Sequence, residues 1–319
     1  MKKIALLTSG GDAPGMNAAI RAVVRTSIYY GVEVVGVRRG YTGLIEKDFL
    51  PLNLGSVADI IQRGGTILLT ARCDEFYKEE GRAKALVNIK EEGIEGLIAI
   101  GGDGTFRGAL ELEKAGVPVI GIPGTIDNDI PCTSATIGFD TVVNTVLDAI
   151  NKIRDTATSH ERIFVIEVMG RKSGFIALEA GLAGGAESIM IPEFPLKVDD
   201  IINNIQRGLN RGKKHSIILI AEGAADAREV TKEISEKTGL ETRLSILGYI
   251  QRGGMPSAQD RLLASRMGAE AVNLLLRGER KRMLALDGEQ IRNFDLDWAI
   301  NQSKTVSLED LRLAGMLSI

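Results

Sequence analysis

The chain is poor in the residues that build metal centres and disulfide frameworks: its 319 residues include two cysteines and two histidines. Cys73 and Cys132 have no metal-ligand spacing, and with only His160 and His215 beside them the sequence argues against a zinc site. Two isolated thiols read as reduced, cytosolic cysteines. A surplus of either charge is missing too. Lys and Arg total 39 and Asp and Glu 42, a net charge of −3, so no basic field draws in nucleic acid or anionic lipid, and neither is expected as a partner. No apolar run approaches the ~18 residues of a membrane span, and the run at the N-terminus is too short for a signal segment, which predicts a cytoplasmic protein. Also absent are G-x-x-x-x-G-K-S/T and a strict G-x-G-x-x-G, which argues against a Walker-type NTPase and weakens a dinucleotide-binding reading.

What is present is an ordinary globular composition, 44% apolar and 25% charged, on a chain long enough for two cores or one large core with a satellite. Short aliphatic and β-branched runs at 4–8, 33–37, 96–100, 117–122, 163–168 and 217–221 predict buried parallel strands. Amphipathic periodicity predicts helices at 16–30, 106–114, 140–154, 173–182, 199–209 and 258–276. Parallel strands need crossover helices, so the alternation predicts a doubly wound α/β fold. Two segments repeat: Gly-Gly-Asp at 10–12 and 101–103, and Ile-Gln-Arg-Gly-Gly at 61–65 and 250–254. A domain boundary is expected near the long helix beginning at Asp140.

In open α/β sheets ligands bind beyond the carboxyl ends of the strands. Glycine is concentrated in the strand-to-helix loops 8–15, 100–105 and 121–129. Gly10, Gly11 and Gly15 let backbone approach a bulky anion, and the helix from Met16 would aim free N–H groups at it. Asp103 is a single carboxylate among glycines, placed to hold a hard cation against polyphosphate, with Thr105 the better helix cap by position. In Thr125-Ile-Asp-Asn-Asp129, two carboxylates two residues apart would point the same way, and one could accept a hydroxyl proton. An Asx-rich turn is the plainer reading of that stretch. Arg72 and Arg171 lie in loop contexts where planar guanidinium groups can stabilise a transferring phosphoryl group.

Taken together, residues 8–12, 100–105, 123–129, 166–171 and 251–254 closely resemble the 6-phosphofructokinase family, in its bacterial ATP-dependent branch, and the match spans nearly the whole chain. The resemblance implies two doubly wound Rossmann-like α/β domains with the active site in the cleft between them. The larger, ATP-binding domain would comprise 1–138 and 256–303, and the smaller, fructose 6-phosphate-binding domain 139–255 and 304–319. It further implies phosphoryl transfer from MgATP to the 1-hydroxyl of fructose 6-phosphate, with Asp127 as general base, Thr125 and Asp129 beside it, and Mg²⁺ on Asp103. Gly11, Arg72 and Arg171 would stabilise the moving phosphoryl group. ATP would lie along Gly11, Arg72, Cys73, Gly102, Asp103, Gly104 and Thr105, with Gly108 giving it room.

For the sugar phosphate the resemblance implies Thr125, Ile126, Asp127, Met169, Gly170, Arg171, Glu222, Tyr249, Ile250, Gln251 and Arg252, joined by Arg162 and Arg243 from a neighbouring subunit. A homotetramer with shared active sites follows. An effector pocket is implied at Arg21, Ala22, Val23, Val24, Arg25, Arg154, Gly185, Ala186, Glu187, Arg211, Lys213, Lys214 and His215, with ADP or GDP as activator and phosphoenolpyruvate as inhibitor. Two positions depart from the common pattern. Residue 249 is Tyr where His is usual, and residue 54 is Leu where some relatives place Arg. The rivals are a pyrophosphate-dependent enzyme, which typically replaces Gly104 by Asp and Gly124 by Lys, and a catalytically silent regulatory homologue, against which Asp103, Asp127, Arg72 and Arg171 argue.

Overall fold

The structure, a computed structural model describing residues 1–318, divides into two compact units. The first comprises 1–126, 130–141 and 252–304; the second comprises 127–129, 142–251 and the segment from Thr305 onward. The elements run β1 (Lys3–Thr8), α1 (Met16–Tyr29), β2 (Glu33–Val37), α2 (Tyr41–Glu46), β3 (Phe49–Leu52), α3 (Glu79–Glu91), β4 (Leu97–Gly101), α4 (Asp103–Lys114), β5 (Val119–Pro123) and α5 (Phe139–His160). They continue through β6 (Ile163–Val168), α6 (Phe175–Ala183), β7 (Ser188–Met190), α7 (Val198–Asn210), β8 (Ser216–Ala221), α8 (Ala227–Thr238) and β9 (Thr242–Ile246). The chain closes with α9 (Ala258–Leu276), β10 (Arg282–Asp287), β11 (Gln290–Asp295), α10 (Leu296–Ile300) and α11 (Leu308–Leu317).

The first unit holds a seven-stranded sheet in the order β11-β10-β5-β4-β1-β2-β3, parallel except for its two edge strands. Its central strands, such as Leu97–Gly101, are buried along their whole length because helices cover both faces, which is why they read as continuous apolar runs. α1 and α9 approach closely: a Cβ on Gly268 would lie 2.7 Å from the Ala22 Cβ and 2.8 Å from the Ala19 carbonyl oxygen. The second unit holds a four-stranded, all-parallel sheet in the order β7-β8-β6-β9. Its core packs Ile201, Ile202 and Ile205 of α7 and Val230 and Ile234 of α8 on Ile163, Val165, Ile218 and Ile220. Among the described residues no helix is long and apolar enough to cross a membrane.

All six predicted strands and all six predicted helices form, and five further strands join them. β10 and β11 pair as a hairpin through a two-residue turn at Gly288–Glu289, where Gly288 has φ +59°, so they escape a reading tuned to parallel crossovers. α5 runs six residues past its expected end, to His160, and α4 begins three residues early, at Asp103, with Gly102 as its cap. Thr105 does not cap that helix. Its hydroxyl instead donates to the Ser9 carbonyl at 3.0 Å, tying the loop after β4 to the loop after β1.

Candidate active site

In the first unit, the carboxyl ends of three adjacent strands, β5, β4 and β1, bring together the three glycine-rich loops. Gly10 and Gly15 hold φ of +84° and +104°, backbone that a side chain would strain, and Gly15 caps α1. A Cβ on Gly101 would lie 2.5 Å from the Ser9 carbonyl oxygen, so the first two loops can meet only at glycine. Thr70 Oγ1 donates to the Gly10 carbonyl at 2.7 Å, which draws in the segment carrying exposed Arg72 and half-buried Cys73. The third loop is fastened by Gly124 N–H to the Gly101 carbonyl at 3.0 Å and by Thr136 Oγ1 to the Thr125 carbonyl at 2.6 Å. Gly11, Arg72, Cys73, Gly102, Asp103, Gly104, Thr105 and Thr125 therefore share one end of one sheet.

Asp103 and Gly104 are exposed in the first turn of α4, and Asp103 pairs with Arg107 at 2.9 Å across one helical turn. An exposed pair of this kind is weak, so it leaves the carboxylate available to a cation. Nothing lies within 4 Å of a Cβ built on Gly104. Gly108 also makes room within the protein. The space beside it is filled by Tyr41, whose Cζ would lie 2.6 Å from an added Cβ. Tyr41 is buried, stacks on Phe76 with ring centroids 4.2 Å apart and donates its hydroxyl to the Thr105 carbonyl. Burial pushes its phenol far above the ordinary range, so it stays a neutral donor beneath the α4 terminus. No sequence motif marks Tyr41; only the packing reveals it.

Arg252 lies over the first glycine loop. Its Nη1 would be 2.3 Å from a Cβ on Gly11 and donates to the Asp12 carbonyl at 3.2 Å. Ile126 is fully buried and its side chain is unavailable to a ligand.

In the second unit, the carboxyl ends of the adjacent strands β8, β6 and β9 gather Glu222, the segment Met169, Gly170 and Arg171, and the turn carrying Tyr249, Ile250 and Gln251. Glu222 N–H donates to the Val168 carbonyl at 2.9 Å and Gly223 N–H to the Gly170 carbonyl at 3.1 Å. Asp127 is half-buried, and its carbonyl accepts from Ser173 Oγ at 3.0 Å; Asp129 is exposed, with Asn128 between them at φ +50°. The turn and the paired carboxylates are thus the same feature. Tyr249 is 83% exposed, whereas Gln251 is 0% exposed and faces inward. Half-buried Glu167, on β6, has its carboxyl raised by burial and by the charges of Glu222 and Asp226.

Arg162 and Arg243 are not among these groups. They lie at the opposite end of the sheet, where Arg162 precedes β6 and Arg243 enters β9, so the length of β6, roughly 20 Å, separates them from Arg171. Both bind one carboxylate, Glu241: Arg162 Nε at 2.6 Å and Arg243 Nη2 on the other oxygen. These bonds hold the Glu241 carboxyl below its ordinary range. Glu241 was missed although it stands two residues before Arg243, a spacing that shares a strand face.

The residues expected to form an effector pocket divide between the units. In the second, Glu187 is buried and accepts from Lys213 Nζ and from Ile217 N–H, with Arg154 Nη1 3.9 Å away. Arg154 also donates to the Gly185 carbonyl at 3.0 Å, and burial with the Lys213 charge lowers the His215 pKa. Arg211 is exposed at the end of α7, and Lys214 pairs with Glu161 at 2.7 Å. Ala186 is buried. In the first unit the expectation narrows: Ala22, Val23 and Val24 are buried in α1, Ala22 against α9, and only Arg21 and Arg25 present polar groups.

The family model for "Phosphofructokinase" matches residues 3–275. An "ATP-dependent 6-phosphofructokinase" of Halothermothrix orenii is 61% identical over 332 residues, covering all of both chains, and one of Thermoanaerobacter pseudethanolicus is 59% identical over 321 residues, again covering all of both. Among solved structures, Pichia pastoris phosphofructokinase in the T-state superposes with a TM-score of 0.90 at 37% identity, over 94% of this chain and 37% of that one.

Proposed function

The chain belongs to the phosphofructokinase family and phosphorylates fructose 6-phosphate at the expense of ATP, and from that premise we propose how its residues divide the work. The observation that carries the reading is the meeting of three glycine-rich loops at the carboxyl ends of β5, β4 and β1, an anion cradle made of backbone. Gly11, Arg72, Cys73, Gly102, Gly104 and Thr105 line the nucleotide. Asp127 accepts the proton of the sugar 1-hydroxyl as that oxygen attacks the terminal phosphorus, with Thr125 and Asp129 beside it. Arg72 and Arg171 stabilise the charge that spreads over the equatorial phosphoryl oxygens.

Asp103 fits Mg²⁺, which takes one or two carboxylates and completes its shell with phosphate oxygens and water. Among the described residues no group of three or more His, Cys, Asp and Glu could hold a metal, so such an ion would depend on the nucleotide for its remaining ligands. When bound, it would offset the negative charge of the nucleotide's phosphates. ATP is favoured over pyrophosphate because Gly104 leaves open space where a carboxylate would intrude.

The sugar phosphate takes Met169, Gly170, Arg171, Glu222, Tyr249 and Arg252 from one chain. One chain holds Arg162 and Arg243 at the far end of β6 from Arg171, so a site that uses all of them draws the pair from a second copy, and a homotetramer with two-fold symmetry satisfies this. The basic groups around Glu187, with Arg21 and Arg25, suit a nucleoside diphosphate or phosphoenolpyruvate as effector. A steady-state assay with Mg²⁺ and fructose 6-phosphate, offering ATP and pyrophosphate in turn, tests the reading; turnover with pyrophosphate alone would overturn the donor assignment.

A further inference from the structure

We propose that Gln251 is a positioning residue for sugar-phosphate binding: its buried carboxamide clamps the loop after β6 to the turn after β9 and does not itself meet the ligand. The inference rests on the assignment of Met169, Gly170 and Arg171 to that ligand.

The two segments leave neighbouring parallel strands. β6 and β9 are in register through Glu167 and Ile246, and Leu247 N–H continues the ladder to the Glu167 carbonyl at 3.1 Å. Beyond that point the backbones diverge and the ladder ends. Gln251 replaces it. Its Oε1 accepts from Met169 N–H at 3.0 Å and its Nε2 donates to the Gly248 carbonyl at 3.0 Å. Only this orientation of the amide satisfies both groups, since its oxygen must face the N–H and its nitrogen the C=O.

Each end of the clamp is conformationally committed. Gly248 has φ +51° and opens the short helical turn Gly248–Gln251, which throws Tyr249 and Ile250 outward while Gln251 is fully buried. Gly170 has φ +137°, and a Cβ there would lie 2.4 Å from the Ser173 carbonyl oxygen. A Cβ on Gly223 would lie 2.0 Å from the Arg171 carbonyl oxygen, so the β8 loop presses on the same segment. Met169 N–H is the lead into this tight path, and Gln251 decides where it points. A side chain with no exposed surface has no face to offer a solvated phosphate ester, yet leaving its partners unpaired in a buried site is costly.

The experiment measures steady-state rates of full-length Gln251→Leu and Gln251→Glu against both substrates. Gln251→Leu removes both bonds; Gln251→Glu keeps the acceptor for Met169 N–H but sets a carboxylate oxygen against the Gly248 carbonyl. Each is expected to raise the fructose 6-phosphate concentration at half-maximal rate by about tenfold or more, Gln251→Leu most, with the ATP dependence unchanged and kcat within a few-fold. An unchanged sugar-phosphate dependence overturns the proposal. So does an equal loss on both substrates with a matching fall in Tm, the mark of general destabilisation. If Gln251→Leu fails to fold, Gln251→Glu alone decides. Arg171→Ser, at a residue of the assigned segment whose side chain has no bond to Gln251, is the control: if it weakens sugar-phosphate binding while the Gln251 variants do not, the clamp fails and the site assignment stands. If neither changes it, the assignment fails and the clamp with it.

Discussion

Gly64 and Gly254 meet backbone to backbone: a Cβ on Gly64 would lie 2.3 Å from the Gly254 carbonyl oxygen. Each is the second-last or last residue of one copy of the repeated Ile-Gln-Arg-Gly-Gly segment, at 61–65 and 250–254, so the echo in the sequence marks two turns that touch. Asn17 fixes the first turn from beneath, donating to the Arg63 and Gly64 carbonyls and accepting from Ile67 N–H at 2.8 Å. Gly64→Ala is therefore expected to cost about 1–3 kcal/mol, because the clash is with backbone that cannot swing away. Gly65→Ala meets nothing within 4 Å and strains only its φ of +64°, for a loss of about 1 kcal/mol. Urea unfolding of both variants checks the ranking; equal losses would show that the contact is not what selects glycine at 64.

Gly104 and Gly124 answer the donor question differently. A side chain at 104 has open space, so Gly104→Asp should leave Tm unchanged while cutting ATP turnover by about tenfold or more through repulsion of the phosphates. A Cβ at 124 would lie 2.9 Å from Ile100 Cγ2 in the core, so Gly124→Ala should already lower stability by about 1–3 kcal/mol. Thermal melts beside ATP titrations separate the two. A melting loss at 104 would mean that the space is needed for folding.

Asp127→Ser removes the proposed base while leaving the backbone carbonyl that Ser173 holds. The expected outcome is a kcat lower by about two to four orders of magnitude, with the half-saturating sugar phosphate changed only a few-fold. A kcat within a factor of ten of the parent's would remove Asp127 from that role. Solvent isotope effects on the residual rate give an independent reading of proton transfer.

The sequence made the central strands legible because helices bury both of their faces, and it made three loops legible because glycine clusters at 8–15, 100–105 and 121–129. What it hid has physical reasons. β9 reads Thr-Arg-Leu-Ser-Ile, an exposed edge strand whose alternation resembles loop. Thr105 has the composition of a cap but spends its hydroxyl on Ser9, a partner 96 residues away. The burial of Val23 and Val24 between two arginines was legible, since with Ile20 and Ser27 they keep the i, i+3, i+4, i+7 spacing of a buried helix face. The hidden features concern long-range contacts, which local pattern does not encode.

Asp260 supplies a test in pH. Its carboxylate is buried at the start of α9 and accepts from Gly138 N–H and Thr141 N–H, both at 2.8 Å, closing the first turn of α5. Burial raises its pKa, and the bonds from Thr141 and Gly138 only partly offset that. With the folded value above the unfolded one, folding takes up a proton, so this contribution is full below the unfolded pKa and is lost as pH rises through the folded one. Asp260→Asn is expected to cost about 1–3 kcal/mol, since its amide sets a donor against donors. The gap between parent and variant should narrow as pH rises from about 4 to about 7. Melting curves across that range measure it, and a gap that widens would contradict the raised value.

Tyr249 is the position at which the chemistry of sugar-phosphate binding should differ from that of a histidine-bearing site. Its phenol is 83% exposed and can donate a hydrogen bond, but it gains no positive charge at any pH near neutrality. A histidine in its place would titrate near about 6.5 and, facing a phosphate, would hold its proton to higher pH. Tyr249→His should therefore bind fructose 6-phosphate more tightly as pH falls from about 8 to about 6, whereas the parent should change only as the ester's own second ionisation does. The ratio of the two half-saturating concentrations at each pH cancels that shared ionisation and isolates the side chain. If the ratio stays flat across the range, residue 249 does not face the 6-phosphate, and the charge that holds it must come from the arginines alone.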